Sequence, residues 1–188
     1  MAHVVMLLKL KGAKSRLSPF FSPRDRLRLA GLFAAHVLQC AQHYPIVVLS
    51  PDSVGYACPE DDNINCGITL LRKKIDDGVA VVTSDLPLLG PENIDALVGD
   101  EKTLTIARSH NGGTSGLFIP KGLQFTPMFG KNSAGAHVLQ AEQYGIPYKE
   151  IIDESFHDVD TNDDIAWVME KCAGTRLFSH ARRIISGV

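Results

Sequence analysis

Short, β-branched apolar runs that alternate with helix-patterned segments constrain this chain more than any other feature. HVVMLL (His3–Leu8) and PIVVLS (Pro45–Ser50) are bounded by Gly, Ser or Pro signals and read as buried strands. Between them, Ser22, Pro23 and Asp25 supply an N-cap, a first-turn proline and a first-turn carboxylate, and Leu29, Leu32, Phe33, Val37 and Cys40 recur at helical spacing. The alternation continues with a helix from about Asn65 to Asp76, the strand VAVVTS, a helix opened by Pro91 and Glu92, and the strands TLTIAR and GLFI. A helix over Ser133–Gly145, with Ser133 at its cap, precedes a late strand PYKEII, a capped helix over Thr161–Ala173 and a helical tail, LFSHARRIISG. This order predicts an α/β three-layer sandwich with a mostly parallel sheet. A chain of 188 residues suits one domain spanning 1–188.

Composition excludes several classes. The longest apolar run near the N-terminus, Val4–Leu8, is far shorter than the ~20 residues of a bilayer span, so no membrane association is expected. Lys9, Lys11, Lys14 and Arg16 follow that run rather than precede it, which does not fit a secretory leader. Cys40, Cys58, Cys66 and Cys172 form no C-x-x-C pair, so the chain reads as reduced and cytoplasmic, without a structural zinc site. The net charge of −2 gives no concentrated basic footprint for nucleic acid. It conceals a basic N-terminal cluster and an acidic segment over Asp153, Glu154, Asp158, Asp160, Asp163 and Asp164; if the fold joins them, they can hold a metal and a polyphosphate together.

In a sheet of this kind ligands sit beyond the carboxyl ends of the strands, and four loops there have unusual composition. LKLKGAKSRLSP leaves the first strand with four cations and Gly12, whose neighbouring backbone N–H groups, with Lys14 and Arg16, suit a triphosphate. A solvated basic loop is the alternative, and neither a P-loop nor a dinucleotide fingerprint is present. In TSDLPLLG, Asp85 directly follows a strand end, where a carboxylate can present Mg²⁺ to phosphate oxygens or simply serve a turn. Gly112 and Gly113 allow close backbone approach to an anion beside Thr114 and Ser115, or form a hairpin turn. Ser133 opens a helix N-terminus, itself an anion site, or is a plain cap; His137, one turn on, reaches a phosphate or packs. In HDVDTNDD, Asp158 and Asp160 point the same way in an extended segment and can share a cation with Asp85. Asp163 and Asp164 read as dipole-serving residues of a helix start, outside the site.

In chain order, Lys9, GAKSRLSP, N-x-G-I at Asn65, SDLPLL, GGT, FGxxSxxxH and DVDT resemble the 2-phospho-L-lactate guanylyltransferases of coenzyme F-420 biosynthesis, over nearly the whole chain. The resemblance implies a nucleotide-diphospho-sugar transferase-like (glycosyltransferase-A-like) fold, GTP and Mg²⁺, and a product, lactyl-2-diphospho-guanosine, made with release of pyrophosphate; bacterial relatives use phosphoenolpyruvate. It implies Asp85, Asp158 and Asp160 as metal carboxylates, with Asp85, Lys14 and Arg16 at the reaction centre. Thr114, Gly130 and Ser133 would hold the phosphorylated acid, with His137 the further candidate already read from its place one turn into the helix. Lys9, Lys14 and Arg16 would contact the triphosphate beside the Gly12 backbone read above, Asn65 would contact the nucleotide, and family precedent suggests a homodimer. The chain departs from the family at Met6-Leu7-Leu8, where proline is frequent, and at Gly67, which costs a helix about 1 kcal/mol against alanine.

The chemistry is self-consistent: a phosphate monoester is already an oxygen nucleophile near neutral pH, so the demand is for cations rather than for a strong base. Sugar-1-phosphate or molybdopterin nucleotidyl transfer is the alternative within enzymes. A non-catalytic nucleotide-binding relative is the alternative outside them.

Overall fold

The computed structural model describes residues 2–9, 14–50 and 63–185; Gly12 and the polar stretch 51–62 lie outside the described residues. The elements are β1 (Ala2–Leu7), α1 (Pro23–Cys40), β2 (Ile46–Leu49), α2 (Asn63–Arg72), β3 (Gly78–Thr83), α3 (Pro91–Val98), β4 (Leu104–Arg108), β5 (Thr114–Ile119), α4 (Ser133–Gln143), β6 (Tyr148–Ile151), α5 (Asn162–Lys171) and α6 (Arg176–Ile185). The expected helix starts are built as the residue chemistry dictates. Ser22 Oγ accepts from the Asp25 N–H ahead of α1, and Thr161 forms a reciprocal capping box with Asp164 ahead of α5. One start differs: the N-cap of α4 is Asn132, in the left-handed region at φ 56°, and Ser133 is the first helical residue. Asparagine tolerates that conformation better than most residues, and the turn it makes carries the chain from the 120s loop into the helix.

The strands form one sheet in the order β2-β1-β3-β5-β4-β6. All pairings are parallel except those of β5, which runs antiparallel to both β3 and β4. Alternate strand residues divide the core as the pleat requires. Val4, Met6, Ala80, Val82 and Phe118 pack towards Ala34 and Val37 of α1 and Ile94 and Leu97 of α3. Val5, Val79, Val81, Leu117 and Ile119 pack towards Ile68 of α2 and Ala134 and Ala141 of α4. Helices on both faces of the sheet make the three layers.

A third apolar cluster positions the site. Helix α1 carries a second buried stripe, Leu29 and Phe33, which meets Ile165 and Val168 of α5 and Ala181 and Ile184 of α6. Leu17 from the basic loop and Val159 from the acidic segment enter the same cluster, and both are fully buried. Burying an aliphatic side chain contributes roughly 1.5–3 kcal/mol, so each of these residues fastens a loop that would otherwise be held only by charges.

The cysteines depart from the reduced state expected: Cys40 and Cys172 are free and buried, whereas Cys66 is disulfide-bonded. No helix among the described residues is long and apolar enough to cross a membrane.

Candidate active site

The cleft lies beyond the carboxyl ends of β1 and β3. After Thr83 the chain turns through Ser84 and Asp85, and the turn is held by Leu86 and Leu89, both buried on the α1–α3 side. The Asp85 carbonyl accepts a hydrogen bond from the Val159 N–H at 3.1 Å. With the Val159 side chain locked among the helices, its neighbours Asp158 and Asp160 face the cleft beside Asp85. The expectation that the three carboxylates share one place is met in geometry.

The basic loop meets them. Lys14 sits in the left-handed region at φ 53°, immediately before a 3-10 turn over Ser15–Leu17 whose last residue is the buried Leu17. A non-glycine residue held there stores strain of about 1–3 kcal/mol, which persists when surrounding contacts over-determine it. Those contacts are visible: Lys14 Nζ donates to Asp85 Oδ2 and to the Val159 carbonyl, and lies 3.9 Å from Asp160 Oδ1. Arg16 donates to Asp160 Oδ2 at 2.8 Å. Lys9 lines the same cavity, of about 230 Å³, and is itself exposed.

Asp158 is the most constrained of the three acids. Burial pushes its carboxyl above the usual range, and the charges of Asp85 and Asp160 push it further, against a smaller opposing effect of His110. Its Oδ1 is buried without a hydrogen bond among the described residues, although His110 Nδ1 lies 3.2 Å away. Three mutually repelling carboxylates, one with an orphaned oxygen, form an oxygen-only donor set of the kind hard divalent cations take.

An adjoining cavity of about 750 Å³ shares Leu7, Thr83, Asp158 and Asp160 with the first, and extends to Thr114, Gly130 and Ser133. Thr114 opens β5 directly after the Ser109–Gly113 turn, so Gly112 and Gly113 do make the hairpin, and the hairpin tip faces the cleft. Gly130 has φ 152°, outside the range most side chains adopt, just before α4.

Two residues expected in the site are placed behind its wall instead. His137 is fully buried: Nε2 accepts from the Met128 N–H at 2.8 Å and Nδ1 lies 3.0 Å from Thr114 Oγ1, so no ring nitrogen is left for a substrate. Burial brings its pKa down to about 4. The Asn65 amide donates to the Phe129 carbonyl at 3.1 Å and accepts from the Phe129 N–H at 2.6 Å, pinning the segment that leads to Gly130.

Asp164, read from sequence as a dipole residue, has a wider part. Its Oδ2 accepts from the N–H groups of Asp160 and Thr161 at 3.0 and 2.7 Å and from the Thr161 hydroxyl at 2.8 Å, which fixes the backbone of Asp160. Its Oδ1 accepts from His157 Nε2 at 2.9 Å and lies 3.3 Å from His110 Nε2. The rings of His110 and His157 stack at 3.7 Å and 6°, and Trp167 continues the column at 4.0 Å. His110, His157 and Asp164 are close enough to suggest a second metal, but near-parallel rings carry near-parallel lone pairs, which do not converge on one ion. The group is a stacked support for the Asp158–Asp160 segment. Asn111, whose Nδ2 approaches Asp158 Oδ2 at 3.5 Å, is the other contributor that spacing did not single out, although HNGGT already placed it beside the glycines.

Residues 1–187 match the family model described as guanylyl transferase CofC like. A 2-phospho-L-lactate guanylyltransferase from Methanopyrus kandleri is 31% identical over 170 residues, covering 88% of this chain and 89% of its own. A phosphoenolpyruvate guanylyltransferase from Roseiflexus sp. (strain RS-1) is 27% identical over 201 residues, covering 97% of this chain and 90% of its own. A crystal structure from Desulfovibrio desulfuricans G20, assigned to the nucleotide-diphospho-sugar transferases, superposes with a TM-score of 0.77 at 14% identity, over 99% of this chain and 97% of that one, a likeness of fold alone. With the acidic and basic loops joined at one cleft and the match running almost end to end, the chain belongs to the CofC-like guanylyl transferase family, whose activity is nucleotidyl transfer.

Proposed function

We propose that this protein condenses GTP with 2-phospho-L-lactate to give lactyl-2-diphospho-5′-guanosine and pyrophosphate, as in coenzyme F-420 biosynthesis. The observation that carries this reading is one cleft with Asp85, Asp158, Asp160, Lys14 and Arg16 on one wall and Thr114, Gly130 and Ser133 on the other. In the proposed step a phosphoryl oxygen of the acid attacks the α-phosphorus of GTP and forms a new P–O–P bridge. The bond from that phosphorus to the β-bridging oxygen breaks, and its electron pair leaves with pyrophosphate. A phosphate monoester carries about −1.5 to −2 charge at pH 7, so the nucleophile needs no strong general base.

Charge neutralisation is what the site must supply. Asp85, Asp158 and Asp160 are the residues that would hold Mg²⁺, and the orphaned oxygen of Asp158 supports that fit. A cation held by these carboxylates would supply positive charge against the two anions and the leaving pyrophosphate. Lys14 and Arg16 provide fixed positive charge against the triphosphate, with Lys9 at the rim. The Thr114 and Ser133 hydroxyls and the turn at Gly130 hold the phosphoryl group of the acid at the start of α4, where the helix dipole favours negative charge.

The Roseiflexus relative favours a second reading, in which phosphoenolpyruvate is the acceptor. The test is pyrophosphate release with Mg²⁺, each of the four nucleoside triphosphates, and either phosphoacid. Release that requires GTP and 2-phospho-L-lactate supports the first reading; release that requires phosphoenolpyruvate replaces it with the second. Folded protein silent with every pair overturns both.

A further inference from the structure

We propose that His137 is a positioning residue that commits the Thr114–Ser133 hydroxyl pair to donate one hydrogen to the phosphoryl group of the acid substrate. The inference rests on the reading above that this pair contacts the acid, and it adds why a fully buried histidine stands behind them.

The Met128 N–H can only donate, so the imidazole nitrogen it meets at 2.8 Å, Nε2, must carry a lone pair. The proton of the neutral ring is therefore on Nδ1, which points at Thr114 Oγ1 at 3.0 Å and must donate to it. Ser133 Oγ lies 3.0 Å from the same Thr114 oxygen. Two hydroxyl hydrogens belong to the pair, and one of them lies between the two oxygens. Because His137 Nδ1 carries its own hydrogen and donates it to the Thr114 oxygen, the second hydrogen of the pair cannot go to the ring.

Among the described residues neither hydroxyl has another hydrogen-bond partner. Both residues are buried, at 6% and 2% exposure, yet both line the larger cavity. One hydroxyl hydrogen is therefore left over, on a pair that lines the cleft. A phosphoryl group, which offers only acceptors when ionised, is complementary to it. If the ring carried the opposite tautomer, Nδ1 would accept from Thr114 and the pair would have no hydrogen to spare. The low pKa of the buried ring agrees with its being neutral throughout the working range.

Two substitutions separate the two ends of the ring. His137→Asn keeps a donor near the Nδ1 position and gives up the acceptor for Met128; His137→Gln keeps an acceptor near Nε2 and gives up the donor to Thr114. The assay is steady-state pyrophosphate release, with GTP and the phosphoacid varied in turn, beside a melting curve for each variant. His137→Gln raises KM for the phosphoacid about tenfold, the usual worth of one hydrogen bond to a charged group, with KM for GTP unchanged; His137→Asn restores it to within about threefold. Thr114→Val raises the same KM, and adding His137→Gln to it has no further effect, because the histidine acts only through that hydroxyl.

Additive losses in the double variant, or equal changes in both KM values, overturn the positioning role. A Thr114→Val variant with wild-type KM instead overturns the placement of the acid at this pair, a separate failure. If the glutamine variant does not fold, the asparagine variant carries the test, and a tenfold rise in its KM for the phosphoacid refutes the proposal.

Discussion

Replacing Asp164 with asparagine tests whether the acidic segment is held by charge as well as by packing. Burial alone would raise the Asp164 carboxyl, but hydrogen bonds from His157, the N–H groups of Thr161 and Asp160, and the Thr161 hydroxyl overcome it and bring the pKa from 3.8 down to about 2. A carboxyl whose pKa is lower folded than unfolded contributes stability above the unfolded value, and loses it as pH falls through the folded one. At 1.36 kcal/mol per unit, the shift from 3.8 to about 2 gives about 2.4 kcal/mol at pH 7. The same linkage leaves about 1.3 kcal/mol at pH 3 and about 0.4 kcal/mol at pH 2. Asp164→Asn therefore loses about 2 kcal/mol at pH 7, which for a chain of this size lowers Tm by roughly 4–8 °C. Urea unfolding of both proteins at several pH values between 7 and 2 measures the difference, which must narrow on acidification with its steepest change below pH 4. A loss of 2 kcal/mol that stays constant down to pH 2 refutes the reasoning, since it would belong to neutral hydrogen bonding and shape alone.

Three further perturbations probe the molecule elsewhere. Asp85→Asn is expected to lower turnover by at least about 100-fold while the melting curve stays cooperative, since it removes one charge from the set proposed to hold the cation; a folded variant with wild-type turnover removes Asp85 from that set. The His137 ring, with its pKa lowered by burial from 6.5 to about 4, makes the fold lose stability as pH drops through that interval, by about 3 kcal/mol in all. His137→Gln abolishes that part of the acid sensitivity, and parallel wild-type and variant stability curves between pH 7 and 4 would contradict it. Gly116→Ala places a methyl 3.0 Å from the Phe156 ring and 3.1 Å from Ala107 and Leu97, so urea unfolding should show a loss of about 1–3 kcal/mol from overpacking; unchanged stability would mean the contact relaxes freely.

The parts of the fold legible in the sequence are those set by local chemistry. Ser22 before Pro23, and Thr161 three residues before Asp164, mark helix starts because their side chains satisfy amides that are close in sequence. The convergence of Asp85, Asp158 and Asp160 with Lys14 and Arg16 was legible because strand ends in a parallel sheet share one edge. What depends on contacts distant in sequence was not. Asn65 and His137 have the residue types of ligand-binding groups, but Phe129 and Met128, brought up by the loop before α4, take up their polar atoms. From sequence Asp164 reads as a helix-dipole residue, and only the fold shows His110 and His157 stacked over it. Asn132 displaces Ser133 as cap through a left-handed backbone that composition does not announce.

The reversal of β5 explains how a parallel-sheet cleft acquires its second wall. Strands β1 and β3 deliver Lys9 and Asp85 at their carboxyl ends, as parallel strands must, and Lys14 joins them there. A further parallel strand between β3 and β4 would deliver only another outgoing loop. Because β5 runs antiparallel, its first residue, Thr114, stands at that same edge, placed by a tight hairpin from β4 rather than by a long crossover. The Ala134 N–H then donates to the Gly112 carbonyl at 3.3 Å, tying the start of α4 to the hairpin tip. The Thr114–Ser133 wall is thus built by short-range connections, and the Asp85–Asp158–Asp160 wall by long-range burial of Leu17 and Val159. Substitutions that loosen the α1–α5–α6 cluster, such as Val168→Ala, should accordingly disturb the acidic and basic loops before they disturb Thr114 and Ser133. A KM for GTP that rises ahead of that for the phosphoacid would show it, and the opposite order would refute this division of the cleft.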